Sequence, residues 1–149
     1  MCSSDLGKRP PRSFKAQMNV GAVATLGDVR MAVADSSVQI VDARSAERFK
    51  GKAPEPRPGL RSGHMPGAFN VPFDRVLENG TLVSRERIVK TFTDAGVDLK
   101  KPIITSCGSG MTAAILTFAL ESIGTTATRL YDGSWTEWGS RPDTPVERE

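Results

Sequence analysis

A cysteine sits in the stretch Ser106-Cys107-Gly108-Ser109-Gly110-Met111-Thr112. The run Pro102–Thr105 ahead of it is rich in strand formers, and the apolar pattern from Met111 to Ile123 behind it predicts a helix. Cys107 is therefore expected at the carboxyl end of a strand, on a glycine-rich loop that opens a helix. Open α/β sheets take their ligands at that edge. Gly108, Ser109 and Gly110 are small enough to let the backbone curl around the sulfur with its N–H groups turned inward, an anion-binding nest. Those amides and the helix dipole favour a thiolate. The chemistry this implies is attack by a nucleophilic sulfur of depressed pKa. A lone cysteine is more often a small buried hydrophobe, and the loop position argues against that reading here.

Other side chains have weaker claims on the site. Ser109 is placed to donate a hydrogen bond to a departing group, and Thr112 to cap the helix; a tight turn would also tolerate both simply because they are small. His64 is the only histidine. It invites a Cys–His pair, but it lies in a Gly-His-Met-Pro-Gly turn, where bracing the loop is the expected role. One histidine and one ordered cysteine do not make a metal site. Asp42 ends a strand at the same edge, where capping or an ion pair with an arginine is expected. Trp135 and Trp138 are read as packing the last helix. From the residues alone, Arg48 and Arg57 are surface arginines, or Arg48 pairs with Glu47 or Asp42.

The elements that must hold this loop alternate in kind. Thr25-Leu26-Gly27-Asp28 is a capping box opening a helix to residue 35, with Val29, Ala32 and Val33 on one face. Val38–Ala43 reads as a buried strand and Ser45–Lys50 as a short helical turn. Residues 51–63 are loop, with three prolines and three glycines. Ala68–Val71 is a short strand. Ser84–Ala95 is an amphipathic helix with Ile88, Val89, Phe92 and Ala95 inward. The helix after Cys107 carries Ile115, Phe118 and Ala119 on one face and Leu116 and Leu120 on another, which predicts burial most of the way round. Residues 126–131 form a further strand. Ser134–Glu137 reads as a capping box, and the chain from Arg141 as an extended tail. Strands alternating with helices predict the α/β class, a parallel sheet with helices on both faces.

The chain has 149 residues, the size of one domain, with 20 basic and 17 acidic side chains and a net charge of +3. The basic residues are scattered and not interleaved with aromatics, so no nucleic-acid partner is expected. No apolar run reaches membrane-spanning length, and no apolar segment follows the charges near the start, so neither a membrane span nor a secretory signal is read. Two cysteines, Cys2 and Cys107, argue against a disulfide framework and for a reducing, cytoplasmic setting. Residues 1–14 read as an unstructured tail or linker, with one domain over 15–149. Cys-Ser-Ser-Asp-Leu at 2–6 is also what a sequencing-adapter end gives on translation. Residues 1–6 are thus expected to be an assembly artefact on a gene cut at its 5′ end.

The loop Cys107-Gly108-Ser109-Gly110-Met111-Thr112-Ala113 resembles the active-site loop of the rhodanese superfamily, and within it that of the 3-mercaptopyruvate sulfurtransferases. Those usually read Cys-Gly-Ser-Gly-Val-Thr-Ala, so Met111 replaces an aliphatic residue. Val41-Asp42-Ala43-Arg44 with Arg48-Phe49 is similar to the family's first signature. Gly63–Ala68 with Asn70–Phe73 is similar to its second, and Tyr131–Trp135 with Glu137-Trp138-Gly139 to its C-terminal one. The resemblance runs from about Arg12 to the C-terminus and implies a rhodanese-like fold. It implies sulfur transfer through a persulfide on Cys107, helped by Ser109, without a cofactor or metal. Arg48 and Arg57 fall where the family holds the carboxylate and keto oxygen of its donor, and guanidinium forks match such planar oxygens. Gly108, Gly110, Met111 and Thr112 complete the implied binding loop.

The implied partners are a small anionic sulfur donor and a thiol acceptor such as a dithiol reductant. The implied alternatives are a thiosulfate sulfurtransferase and a weakly active sulfur-carrier or binding module. Thiosulfate-preferring relatives more often carry a basic residue in the loop, and none is present here. Cysteine phosphatases and arsenate reductases share the fold but need Cys-x5-Arg, and Ala113 occupies the arginine's position. Family members generally have two rhodanese domains with the site between them. The expectation is that an N-terminal one is missing, that a face meant to be covered is exposed, and that the chain alone is weakly active.

Overall fold

Short apolar runs separated by helical stretches should fold as alternating strands and helices. The computed structural model, which describes residues 10–125 and 127–149, has that order. Its elements are β1 (Val23–Ala24), α1 (Leu26–Asp35), β2 (Gln39–Asp42), α2 (Ala46–Phe49), β3 (Phe69–Asn70), β4 (Leu77–Glu78), β5 (Thr81–Leu82), α3 (Arg85–Asp94), β6 (Ile103–Ser106), α4 (Met111–Ser122), β7 (Thr128–Tyr131) and α5 (Ser134–Trp138). Two 3-10 turns, Val20–Ala22 and Phe73–Val76, link them. The Thr25–Asp28 capping box forms at α1 as the sequence predicts. Residues 10–19 are exposed and without regular structure; the rest of the predicted tail, with Cys2, lies outside the described residues.

Five strands pair in the order β1-β7-β6-β2-β3, each pair parallel. The central strand is β6, and all four of its residues are buried. Side chains alternate across the sheet. Ile40 and Ile104 face α1 and α5, with Val29, Trp135 and Trp138. Val41 and Ile103 face α3 and α4, with Phe92, Leu116 and Leu120. Both faces are covered, so the strands read as near-continuous apolar runs rather than alternating ones. Thr105 pairs with Val41 on one side and Leu130 on the other, which fixes where β6 ends and the cysteine loop begins.

Several expectations are corrected. Ser134 does not cap α5: it is the first helical residue, and its hydroxyl and Glu137 are engaged elsewhere, with the Cys107 amide and the Tyr131 hydroxyl. The Ser-x-x-Glu spacing was met, but tertiary partners outcompeted the local bonds. α4 is not buried most of the way round. Leu116, Ala119 and Leu120 are fully buried, Ile115 is half-buried and Phe118 is 60% exposed. The strand expected over 126–131 is observed from Thr128, and position 126 lies outside the described residues. The structure adds a hairpin between β4 and β5. Asn79 (φ 52) and Gly80 (φ 79) both adopt the positive angles of a type I′ turn.

The tail is extended as expected, and it is tied down. Trp138 Nε1 donates to the Pro145 carbonyl at 2.9 Å, and Arg61 Nη1 to that of Thr144 at 2.8 Å. His64 and Glu147 exchange backbone bonds at 2.9 and 3.0 Å. Arg148 Nε reaches the Ser62 carbonyl at 2.9 Å, and the Glu149 amide that of Lys50 at 3.1 Å. Residues 144–149 thus close against both ends of the 51–63 loop.

Candidate active site

Cys107 lies just past the end of β6, and its side chain is turned inward with 2% of the residue exposed. α4 has no side-chain cap, because Gly110 precedes it in a left-handed conformation (φ 88). The sulfur sits at that helix start. The Gly110 amide donates to Sγ at 3.1 Å, and the Thr112 hydroxyl and the amides of Ala113 and Ser109 add to the polar surroundings that favour the thiolate. Burial alone pushes the thiol's pKa up. The polar groups of Thr112, Ala113, Ser109 and Gly110 together outweigh it, and the pKa lies below the ordinary thiol value.

The loop is held from behind by the start of α5. The Cys107 carbonyl accepts from the Trp135 amide at 2.8 Å. The Gly108 carbonyl accepts from the Thr136 amide at 2.9 Å and from its hydroxyl at 2.6 Å. A planar trans peptide points its C=O and the following N–H in opposite directions. Fixing the Gly108 carbonyl toward α5 therefore turns the Ser109 amide toward the sulfur. The Cys107 amide itself donates to Ser134 Oγ at 3.1 Å, and that hydroxyl donates to the Tyr131 carbonyl at 2.8 Å. Ser134 does this with φ 50, a left-handed backbone that costs a non-glycine residue roughly 1 kcal/mol.

In front of the sulfur is a cavity of about 310 Å³ lined by Arg48, Glu55, Arg57, Cys107, Ser109 and Thr112, among others. Gly108, Met111 and Thr136 are also in its wall. Arg48 comes from α2 and lies close to the loop: a Cβ on Gly108 would be 3.0 Å from Arg48 Nη2. Its partner is neither Glu47 nor Asp42. Arg48 Nη2 and Nε donate to Glu55 at 2.5 and 3.2 Å. Arg57 Nη1 donates to Thr136 Oγ1 at 2.5 Å. Behind them, Arg44 is buried over the Trp135 ring at 4.3 Å. It pairs with both oxygens of Asp42 and, at 2.8 Å, with Glu55. Its own pKa is raised: burial lowers it, and the Asp42 and Glu55 carboxylates more than compensate.

Of the residues singled out in the sequence, Cys107, Ser109, Arg48, Arg57, Gly108, Met111 and Thr112 line this one cavity. Gly110 does not; its amide faces the sulfur, and a Cβ added there would meet Asp132. Thr112 does not cap α4 but faces Sγ. His64 stands apart, stacked on Phe49 with ring centroids 3.8 Å apart, its Nδ1 bonded to the Phe49 carbonyl at 2.8 Å. A carbonyl only accepts, so Nδ1 carries the proton. The sequence assigns no role in the site to Glu55 or Thr136, and gives Ser134 and Arg44 only a cap and a place in a signature. Glu55 is flanked by Pro54 and Pro56, in the loop that also carries Arg57. Among the described residues, no three His, Cys, Asp or Glu side chains are grouped to hold a metal ion, and no helix is long and apolar enough to cross a membrane.

Known proteins resemble this chain in sequence and in fold. Residues 25–141 match the sequence profile of the rhodanese-like domain. The 3-mercaptopyruvate sulfurtransferase of Escherichia coli K12 is 46% identical over 138 residues, which cover 93% of this chain and 49% of that protein. The mitochondrial thiosulfate/3-mercaptopyruvate sulfurtransferase 1 of Arabidopsis thaliana is 44% identical over 138 residues, 92% of this chain and 36% of that one. The crystal structure of SseA from Escherichia coli superposes with a TM-score of 0.75 at 41% identity, covering 86% of this chain and 47% of that one. The chain spans about half the length, or less, of these relatives.

Proposed function

The chain belongs to the rhodanese-like domain family, and from that premise we propose that it transfers sulfur from 3-mercaptopyruvate to a thiol through a persulfide on Cys107. The observation that carries this is a buried sulfur surrounded by inward hydrogen-bond donors, facing a cavity with two arginines. The Cys107 thiolate attacks the donor's thiol sulfur. The carbon–sulfur bond breaks with its electron pair going to carbon, and the resulting enolate takes a proton to become pyruvate. Cys107 is left as Cys–S–SH. An acceptor thiolate then attacks the outer sulfur, forms its own persulfide and returns Cys107 as thiolate.

The donor's carboxylate and keto oxygen are assigned to Arg48 and Arg57. Ser109, exposed at the cavity wall, is assigned to the departing enolate oxygen, and Gly108, Gly110, Met111 and Thr112 to the loop that shapes the site. No cofactor is required. A dithiol reductant is the acceptor class that suits this chemistry, and the cytoplasm the compartment that keeps the thiol free. The domain itself is assigned to residues 15–149. The relatives' length and the exposed apolar face of α4 support a second domain as the partner across the cavity.

The test is a single turnover. Mixing with 3-mercaptopyruvate should release pyruvate stoichiometric with protein and add the mass of one sulfur atom to Cys107. Full turnover by Cys107→Ser would sink the reading. A second reading, thiosulfate as donor, draws on the Arabidopsis relative's name; specificity constants for the two donors decide between them.

A further inference from the structure

Glu55 is the acid of the cavity wall, and its side chain is only 1% exposed. Both its oxygens are engaged. Oε1 accepts from Arg44 Nη1 at 2.8 Å and from Arg48 Nε at 3.2 Å, and Oε2 accepts from Arg48 Nη2 at 2.5 Å. Arg44 is a fixed point: it is fully buried, paired with Asp42, bonded to the Gly63 carbonyl at 2.8 Å and stacked on Trp135. Prolines on both sides of Glu55 restrict its backbone. The carboxylate is therefore anchored from behind and holds Arg48 by one edge. Nη1 of Arg48 is left with no hydrogen bond among the described residues.

The charges decide what such a cavity accepts. Arg44 and Asp42 cancel behind the wall. On the wall, Arg48 and Arg57 bring two positive charges, and Glu55 and the Cys107 thiolate one negative charge each, so the reactive site is neutral before the donor enters. A donor with a single carboxylate adds one negative charge to it. A doubly charged oxyanion adds two beside the same thiolate and is the more strongly disfavoured. Resting on the sulfurtransferase reading above, we infer that Glu55 is a positioning residue that sets donor preference. It holds Arg48 in register and makes the cavity select a singly charged 2-oxo acid over a dianion.

The experiment is sulfur loading of Cys107 in a single turnover, followed by intact mass, with 3-mercaptopyruvate and with thiosulfate. Glu55→Gln keeps the shape and removes the charge; Glu55→Asp keeps the charge on a shorter arm. In Glu55→Gln, the loading efficiency for mercaptopyruvate relative to thiosulfate should fall by roughly tenfold, the factor one charge-assisted contact is worth. The loss should fall mainly in mercaptopyruvate half-saturation rather than in maximal rate. Glu55→Asp should hold the ratio near wild type even where both rates drop. An unchanged ratio in Glu55→Gln, or an equal shift in Glu55→Asp, overturns the proposal. A variant-free arm uses protection of wild-type Cys107 from alkylation. Pyruvate should protect at lower concentration than sulfate, and the reverse order overturns the proposal whether or not Glu55→Gln folds. Absence of loading from either donor in the wild type overturns the sulfurtransferase reading, and this inference with it.

Discussion

A buried thiol is normally harder to ionise than an exposed one, and Cys107 runs the other way because its loop supplies more donors than burial removes. Removing one donor should be visible. Thr112→Val takes away a hydroxyl that favours the thiolate, so the pKa of Cys107 should move up and its alkylation by iodoacetamide at pH 7 should slow by roughly 3- to 10-fold. The midpoint of the alkylation–pH curve measures this directly. Stability carries the same sign. The folded thiol ionises below the unfolded one, so its stabilising contribution is full above the unfolded thiol's pKa of about 8.5. It fades as pH falls through the folded value. Urea midpoints of wild type and Cys107→Ser, compared across that window, should converge toward acid pH and diverge toward alkaline pH. Arg57→Lys keeps the charge but loses the fork that reaches Thr136. It should raise the donor's half-saturation by roughly tenfold with a smaller effect on maximal rate, because a point charge cannot grip planar oxygens at two places.

At the scale of elements, the site is a joint between the end of β6 and the starts of α4 and α5. Gly110 is where that joint is tightest. Its φ is 88, and an added Cβ would lie 3.0 Å from Asp132 Oδ1 and 3.2 Å from the Asp132 carbonyl. Gly110→Ala should destabilise the fold by about 1–3 kcal/mol in urea titration and raise the thiol's pKa, since the amide that bonds Sγ must rotate. Much of this joint was legible in the residues: the run of strand formers, the small loop and the apolar pattern behind it could be read in order. What the residues did not disclose has a common cause. Ser134 and Glu137 have the spacing of a local cap, yet their partners are residues far back in the loop or on β7, and spacing holds no information about tertiary competitors. An ion pair of Asp42 with an arginine is among the sequence's expectations and forms with Arg44, but its continuation to Glu55 is recognisable only once the 51–63 loop is folded over it. The Asn79-Gly80 hairpin, in contrast, did carry its signal in two adjacent residues.

For the whole molecule, the feature that matters is the uncovered side of α4. Ile115, Phe118 and Ala114 line a hollow with Leu77 and Leu82 of the hairpin, and Met111, 78% exposed, continues the apolar surface to the cavity mouth. Sequence periodicity could say that this face is apolar but not whether anything covers it. Phe118→Lys should change stability by less than about 0.5 kcal/mol while reducing hydrophobic-dye binding. On the two-domain reading, adding the unmatched half of the Escherichia coli relative should raise turnover of the wild-type chain, and Phe118→Lys should blunt that gain; equal turnover with and without the added half would count against it. The tail bears on how such experiments are cut. Residues 144–149 touch no part of the cavity, yet they fasten Arg61, Ser62 and His64 at one end of the 51–63 loop and Lys50 at the other. A boundary drawn after Trp138, where the last helix ends, would look harmless on a domain map. It would release the loop that carries Glu55 and Arg57, and a protein trimmed there should keep its reactive thiol while losing its discrimination between donors.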